Sequence, residues 1–341
     1  MRVLMVADFR RDHPRWLINN SRIFAKGFLR NGHDVLDFSY REMVLSQSPI
    51  RSKRWAARLG KAGADSLLVE QVGHFEPELV FVTAFKLLDG GTIAKVREAA
   101  PGAKVICWYG DWWAGAREEV TEFSRQSDWF LATSGGEALR GWHEASGARC
   151  GFLPNPCDPD VEYPREVGPE QRTRVVFIGK AVHSGPRQDP ERLGLLEGLV
   201  SEGLLTVHGC FGRGAIYGRE YLEALCGADI ALSINACNDV ELYHSDRLVQ
   251  CVASGTFTLA KYVPGSERLF RDGEHLRYFR TAAQCRSLIE EFLADEASRR
   301  RIAQAGREHA LREFRCERLA DCVVKLAQGE RFEAQWAQFV E

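Results

Sequence analysis

Several features that define other protein classes are missing from this sequence of 341 residues. It has no apolar run of the roughly 18 residues that a membrane-spanning helix needs, so we expect no such helix. Its start becomes charged by Asp8 and lacks the order of charged, apolar and small residues that marks a signal peptide. Neither charge dominates, because 45 basic residues stand against 47 acidic ones. The near-balance disfavours a nucleic-acid binder that relies on a strong positive field.

Familiar catalytic and metal motifs are also absent. We find no G-x-G-x-x-G after the first predicted strand, no G-x-x-x-x-G-K-[ST], no G-x-S-x-G and no H-E-x-x-H. The ten cysteines contain no C-x-x-C pair, which predicts buried free thiols in a reducing cytoplasm rather than a zinc site or a disulfide scaffold. The one D-x-D, Asp158-Pro159-Asp160, lies in a proline-rich stretch and is interpreted as a turn. We therefore expect no metal and no cofactor.

What is present indicates an α/β protein of about two domains. Short β-branched or aromatic runs alternate with helical patterns over residues 1–150 and again after 172, and the stretch between them holds five prolines. We predict two Rossmann-like doubly wound domains that face a central cleft, 1–160 and 161–325. Residues 326–341, which end in RFEAQWAQFVE, are predicted to form a helix that packs back on the N-terminal domain.

Residues suited to binding an anion are concentrated in the second half. Gly179-Lys180 ends a predicted strand, where the glycine allows close backbone approach and Lys180 with Arg187 can neutralise a diphosphate. A loop lysine that is merely solvated is the alternative. His208-Gly209 ends the next strand, and a glycine-bracketed loop with Ile216-Tyr217 follows.

The loop Tyr243-His244-Ser245 precedes a predicted helix that carries Arg247 and Gln250. Backbone amides at the start of a helix, together with its dipole, favour a phosphate group.

The segment SDRLVQCVASGTFTLAKYVPGSERLF and the forty residues after it resemble the donor-binding half of GT-B glycosyltransferases. More narrowly, they resemble the CgeB-like (spore-maturation-protein-type) branch related to the retaining family 4 enzymes. FLPNPCDPDVEYP resembles the interdomain segment of that branch. The resemblance extends over nearly the whole chain, is specific from about 205 to 315 and is loose in the first 130 residues.

The resemblance implies a nucleoside-diphosphate sugar, UDP in the first instance, held by the C-terminal domain without an obligatory metal. It assigns phosphate contacts to Gly179-Lys180 and Arg187, and a base contact to Ile216-Tyr217. The family's two glutamates, eight positions apart, fall on Leu242 and Gln250, with Glu241 adjacent. Gln250 can still bond a ribose hydroxyl, whereas the role of Glu241 is open, and with it the choice between a retaining and an inverting reaction.

Sugar transfer leaves negative charge on the departing diphosphate, which Lys180, Arg187, Arg247 and the amides around His244 are placed to stabilise. On the acceptor side, Asp111 follows a first-domain strand and is the candidate base or acceptor-orienting group, with a helix N-cap as the alternative. Four further residues are assigned to the acceptor side: His13, Asn20, Trp112 and Trp113. For Asn20 or Ser21 a helix cap is the favoured role, and the two tryptophans are either sugar-stacking or core residues.

Arg51–Lys61, RSKRWAARLGK, combines five cations with a tryptophan. A solvated surface helix is the commoner meaning of such a stretch, and peripheral contact with an anionic inner membrane is the alternative.

The sequence as a whole predicts a cytoplasmic hexosyltransferase, monomeric or homodimeric, that uses a nucleotide sugar and an unidentified acceptor. A catalytically silent nucleotide-sugar-binding protein and a glycosyltransferase for a modified nucleic-acid base are the alternatives.

Overall fold

The computed structural model describes residues 1–11, 19–50, 53–85, 87–111, 118–181 and 189–341. These residues form two compact units. The first comprises Met1–Pro154 and Cys316–Glu341, and the second comprises Asn155–Arg315. The contacts thus divide the chain after Pro154 and after Arg315. The boundaries predicted from the sequence, after residues 160 and 325, lie within about ten residues of these.

The described chain alternates strands and helices. The strands are β1 Arg2–Ala7, β2 Asp34–Ser39, β3 Leu79–Val82, β4 Lys104–Tyr109, β5 Trp129–Ala132, β6 Arg149–Phe152, β7 Thr173–Ile178, β8 Thr206–His208, β9 Ala228–Ser233, β10 Thr258–Lys261, β11 Arg277–Phe279 and β12 Phe339–Val340. The helices are α1 Asn20–Arg30, α2 Tyr40–Ser46, α3 Lys53–Leu59, α4 Lys61–Phe75, α5 Gly90–Ala99, α6 Glu118–Arg125, α7 Glu137–Ser146, α8 Pro190–Ser201, α9 Arg219–Cys226, α10 Asp246–Ala253, α11 Ala282–Ala294, α12 Glu296–Glu313 and α13 Cys316–Gln328. Two short 3₁₀ helices span Pro169–Gln171 and Ser266–Arg268.

Each unit is built on one sheet. The first sheet has the order β12-β6-β5-β4-β3-β1-β2, parallel except for β12, which pairs antiparallel with β6. The second has the order β11-β10-β9-β7-β8 and its strand pairs are parallel. The strand order reverses between β1 and β3 in the first sheet and between β7 and β9 in the second. Such reversals are the topological switch points at which open α/β sheets bind ligands.

The strand sequences explain why both faces of the second sheet are covered. Val175 and Phe177 of β7 belong to one hydrophobic cluster, and Val176 and Ile178 belong to another. Because alternate residues of a strand point to opposite faces, a continuous apolar run requires helices on both sides. Cys285, Leu288, Ile289 and Phe292, which have the spacing of one helix face, are the buried residues of α11. The doubly wound α/β prediction is thereby confirmed for each unit.

The C-terminal segment requires a correction. A helix does return to the first unit, but it is α13, which packs on α1, and not residues 326–341. Gly329, with φ of 76°, follows the last helical residue in the left-handed conformation that ends many helices. Beyond it the chain is irregular, with Phe332 and Trp336 buried, and ends in the short strand β12. Phe332 and Trp336 are therefore buried in an irregular segment and not on a helix.

All ten cysteines are free thiols, and all but Cys210 and Cys226 are buried. Among the described residues, no helix is both long enough and apolar enough to cross a membrane.

Candidate functional site

The candidate site lies where the central strands of the second sheet end. Gly179 directly follows β7, and Ile234 and Asn235 follow β9, which is paired with β7 at the switch point. His208 is the last residue of β8, on the other side of β7. Gly179 donates its backbone N–H to the His208 carbonyl over 2.9 Å. The sheet therefore brings together residues that are far apart in sequence.

Arg247, in the first turn of α10, spans the switch point. Its Nε donates to the Ile178 carbonyl over 2.7 Å and its Nη1 donates to the Ile234 carbonyl over 3.0 Å. These bonds join the ends of β7 and β9 and leave Nη2 beside the α-carbon of Gly179. A Cβ at Gly179 would overlap that nitrogen, and the φ of 149° there also disfavours other residues. The glycine is thus needed for the guanidinium to reach the end of the strand.

A second arginine lies close to the first. Arg192 of α8 is 4% exposed and donates from Nη2 to the Lys180 carbonyl over 2.5 Å. Its guanidinium carbon lies 5.7 Å from the centre of the Phe177 ring, and that of Arg247 lies 4.8 Å from the same centre. Burial, and after it the charge of Arg247, lowers the pKa of Arg192 to about 10.

Two guanidinium groups held this close favour a bound anion. The buried Nε of Arg192 has no hydrogen-bond partner among the described residues. The negative charge of Asp189 only partly offsets the positive charges of Arg192 and Arg247. A diphosphate could accept charge-assisted hydrogen bonds from both groups, because each presents several donors in a plane.

Lys180 lies at the same edge. Its side chain is exposed, and among the described residues no carboxylate forms an ion pair with its ammonium group. The pKa of the neighbouring His208 is lowered by partial burial and by the charge of Arg213, which favours a neutral imidazole at pH 7. Gly209 donates to the Gly214 carbonyl over 3.0 Å and so fixes the start of the loop that reaches Ile216 and Tyr217.

Asn235 holds the loop before α10. The side chain is 2% exposed. Its Nδ2 donates to the Tyr243 carbonyl over 3.1 Å, and its Oδ1 accepts the Ser245 N–H over 3.0 Å. From the interdomain segment, Asn155 donates to the His244 carbonyl over 2.9 Å. The two asparagines therefore fix the backbone of 243–245.

The ring of His244 is buried and its tautomer follows from its partners. The Ser266 hydroxyl donates to the Val263 carbonyl over 2.7 Å, so it accepts from Nε2 of His244 over 3.1 Å. Nδ1 then faces the Asn235 amide at 3.4 Å as an acceptor. Burial lowers the pKa of His244 to about 3. His244 is thus a neutral side chain that fixes the loop through both ring nitrogens.

The N-terminus of α10 opens on the same region. Ser245 is the N-cap residue, but its hydroxyl makes no capping bond, and the buried Oγ has no partner among the described residues. The donor capacity at this helix end is therefore not fully used within the protein.

The acidic-motif positions have different surroundings. Gln250 is 7% exposed, and its Oε1 accepts a 2.6 Å hydrogen bond from the Tyr221 hydroxyl. No described residue accepts from its Nε2. Leu242 is fully buried at a φ of 60°, and Glu241 lies 3.7 Å from Arg268. The position that aligns with the first glutamate in the resemblance is thus an apolar core position here.

In the first unit, Asp111 follows β4 at the corresponding end of the sheet. It is exposed, and its carbonyl accepts from the Thr133 hydroxyl, which follows β5, over 3.4 Å. The cap of α1 is Asn19, which accepts the Arg22 N–H over 2.9 Å, so neither Asn20 nor Ser21 has the capping role. Asn20 is the first helical residue. Four predicted site residues lie outside the described residues: His13, Trp112, Trp113 and Arg187.

Sequence reasoning missed Arg192 and Asn235. Asn235 had a detectable signal, since it comes directly after a buried strand in the way Gly179 does. Arg192 had no such signal. An arginine directly before the helical run LGLLEGLV is expected to lie on the surface, and only the fold brings its side chain to the Lys180 carbonyl.

A cavity of about 520 Å³ lies elsewhere, at the opposite edge of the first sheet. It is lined by the first residues of β5 and β6, Trp129 and Arg149, and by the C-terminal segment. Among the described residues, no group of three His, Cys, Asp or Glu side chains could hold a metal ion.

Comparison with known proteins fits this geometry. Residues 193–324 match the family model described as "Glycosyl transferase-like". The matched region begins within α8 and ends within α13, and it includes Arg247 and the whole loop before α10. Among curated proteins, none matches the chain.

Solved structures share the fold over almost the full length. Sucrose-phosphate synthase from Thermosynechococcus elongatus aligns with a TM-score of 0.64 at 15% identity, covering 96% of this chain and 98% of that chain. HepE from Anabaena, in complex with UDP-glucose, aligns with a TM-score of 0.64 at 12% identity, covering 96% and 100%. An alpha-glucosyltransferase in complex with UDP and a 13-mer DNA containing a HMU base aligns with a TM-score of 0.59 at 12% identity, covering 96% and 99%. The chain has the two-domain α/β fold of GT-B glycosyltransferases.

Proposed function

We propose that this protein is a glycosyltransferase that transfers a sugar from a nucleoside-diphosphate sugar to an acceptor hydroxyl. The supporting observation is the pair of partly or fully buried guanidinium groups, Arg192 and Arg247, at the switch point of the second sheet. Arg247 lies in a segment that matches a glycosyltransferase-like family model. UDP is the favoured nucleotide, since two of the similar structures are complexes with UDP or UDP-glucose.

The reaction requires charge stabilisation on the leaving group. The bond between the anomeric carbon and the diphosphate oxygen breaks while a bond to the acceptor oxygen forms. The diphosphate gains negative charge, which Arg247, Arg192 and Lys180 can balance through fixed donors. These three cations supply the charge that a divalent ion supplies in other transferases, and we propose a metal-independent reaction on that ground.

Donor recognition has two further parts. Gln250, held through its Oε1 by Tyr221, has its Nε2 left to donate to a ribose hydroxyl. Ile216 packs against the cluster that contains Val176 and Ile178, so the loop with Tyr217 starts at the same strand ends and is proposed to contact the base. His244 is proposed to act by positioning the loop amides, because both of its ring nitrogens are engaged within the protein.

We infer a retaining reaction of the family 4 type, with the CgeB-like branch as the proposed relationship. In such a reaction the departing diphosphate oxygen takes the acceptor proton. If the reaction inverts instead, Asp111 is the proposed base. A silent nucleotide-sugar-binding protein is the second candidate, favoured by the buried Leu242 where the family has a glutamate.

The test is donor binding and slow donor hydrolysis with UDP-, GDP- and dTDP-sugars. We expect Arg247→Met to weaken binding of the accepted nucleotide by about thirtyfold, roughly 2 kcal/mol, because a charged hydrogen bond is lost. Arg219→Met is the matched control, since Arg219 is an exposed arginine of the same unit that pairs with Glu223.

Donor binding with neither hydrolysis nor transfer to any acceptor would favour the silent protein. Equal affinity for UDP in Arg247→Met and Arg219→Met would remove the guanidinium pair from the donor site and contradict the proposal.

A further inference from the structure

Three large apolar side chains that lie within ten positions of one another in the sequence are exposed in the first unit. Ile50 is 46% exposed, Trp55 is 52% exposed and Leu59 is 46% exposed. Trp55 and Leu59 are four positions apart on α3 and so lie on one face of that helix. Single exposed apolar residues are normal on a protein surface, whereas several of them that include a tryptophan indicate a surface that contacts another molecule or a membrane.

The charged residues in this stretch of the sequence are all basic. Between Glu42 and Asp65 the sequence contains no acidic residue, whereas it contains Arg51, Lys53, Arg54, Arg58 and Lys61. Arg58 is exposed, lies between Trp55 and Leu59 in the helix, and pairs with no acidic side chain of the described residues.

Lys61, the first residue of the next helix α4, is bound within the protein and does not belong to the exposed surface. Its Nζ lies 2.8 Å from Oδ2 of Asp65 and 3.2 Å from Oδ2 of Asp89, and it donates to the Thr92 hydroxyl over 2.9 Å. Burial opposes the charge of Lys61, but these hydrogen bonds outweigh it and raise its pKa. Helix α3 therefore ends beside a fixed residue of α4, and it carries an exposed apolar face beside the exposed Arg58.

We propose that α3, with Ile50 before it, binds an anionic lipid bilayer. The aliphatic side chains and the tryptophan suit the boundary between headgroups and acyl chains, and the exposed Arg58, in a stretch of sequence with five basic and no acidic residues, suits lipid phosphates. A nucleic-acid strand would be bound through stacked aromatic rings, and Trp55 is the one aromatic residue between Tyr40 and His74. A short helix with few anchors gives weak, reversible binding that depends on anionic lipid. The inference does not depend on sugar transfer.

The experiment is co-sedimentation of the full chain with phosphatidylcholine vesicles that contain about one third phosphatidylglycerol, against pure phosphatidylcholine. We expect binding to the anionic vesicles, at least about tenfold weaker binding to the neutral ones, and a loss of about tenfold in Trp55→Ala/Leu59→Ala. Arg58→Glu should weaken binding about fivefold or more, and this loss should shrink at high salt.

Leu29→Ala is the control, because Leu29 is 55% exposed on α1, outside the acid-free stretch. It should bind like the unaltered chain. Three results would each overturn the proposal: no binding to anionic vesicles, an equal loss in Leu29→Ala, or preferred binding of a single-stranded oligonucleotide that Trp55→Ala/Leu59→Ala abolishes. Circular dichroism of each variant separates lost binding from lost folding.

Discussion

The two sheets carry side chains of different chemical character at the edge formed by the carboxyl ends of their parallel strands. In the second unit that edge carries cations, and two of them are fixed: Arg247 by the carbonyls of Ile178 and Ile234, and Arg192 by the carbonyl of Lys180. In the first unit the same edge carries acids and hydroxyls. Asp8 follows β1 and pairs with Arg10 at 3.0 Å, and Asp111 follows β4.

The hydroxyl groups of the first edge are hydrogen-bonded within the first unit. Thr83, after β3, shares a 2.9 Å hydrogen bond with Ser21, and Thr133 bonds to the Asp111 carbonyl. Fixed cations suit a leaving diphosphate, whereas carboxylates and hydroxyls suit an acceptor alcohol and its proton. The comparison predicts a division of labour: changes at the second edge alter donor affinity, and changes at the first alter turnover.

Both edges share strained backbone. Arg10, Leu87, Phe211 and Leu242 have positive φ values, and they follow β1, β3, β8 and β9. A non-glycine residue in this region costs about 1–2 kcal/mol. Its recurrence after strand ends fits loops shaped for binding.

The units also differ in aromatic and titrating residues. All eight tryptophans lie in the first unit, so tryptophan fluorescence reports on that unit alone. Three buried or nearly buried histidines with lowered pKa values, His244, His275 and His309, lie in the second. This difference allows the two units to be observed separately.

The largest expected effect is acid destabilisation of the second unit. The rings of His275 and His309 stack with centres 4.0 Å apart, and both nitrogens of His309 are engaged, by the Leu269 carbonyl at 2.7 Å and by Arg312 at 2.8 Å. Burial first, and then the charge of His275, lowers the pKa of His309 to about 4. Since the folded pKa values lie below the unfolded one, stability is complete above about pH 6.5 and falls as pH decreases.

Between pH 7 and pH 5, His244 and His309 should together cost about 4 kcal/mol of unfolding free energy. Urea unfolding followed by circular dichroism should therefore show a transition at pH 5 that precedes the tryptophan transition, and His309→Gln should recover part of the loss. Coincident transitions at both pH values would contradict separate acid sensitivity of the second unit.

The next effect tests the first edge. Asp111→Asn should lower turnover by about a hundredfold, roughly 2.7 kcal/mol, while donor affinity stays unchanged, because we expect the carboxylate to orient the acceptor hydroxyl in a retaining reaction and to be its base in an inverting one. Steady-state kinetics and UDP titration measure the two quantities. Asp34→Asn, an exposed aspartate at the start of β2, is the control. A loss of donor affinity with unchanged turnover would reverse the assigned roles of the two edges.

Much of the fold could be predicted because it follows local patterns. Buried strands such as Leu79–Val82 are continuous apolar runs, and the spacing around Cys285 can only be helical. The C-terminal error has a local cause, since Phe332, Trp336 and Phe339 match a helical stripe, while Gly329 ends the real helix before them.

The site was less predictable because it depends on contacts across the sheet. Sequence placed Gly179, Lys180 and Arg247 at strand and helix ends, and the structure brings these three positions together. Sequence could not indicate that His244 is buried with both nitrogens engaged, or that Arg192 reaches the Lys180 carbonyl, because those contacts join segments that are far apart in the chain.

The smallest expected effect distinguishes an exposed cation, Lys180, from the two arginines that are fixed by hydrogen bonds. Lys180→Ala should weaken donor binding or turnover by about tenfold, close to 1.4 kcal/mol, since an exposed ammonium loses more of its interaction to water than Arg247 does. Arg174→Ala is the matched control, because Arg174 is exposed at the opposite end of the same strand, β7. If Lys180→Ala binds UDP and turns over like Arg174→Ala, Lys180 is a solvated loop residue, and the donor's charge is balanced by the two guanidinium groups alone.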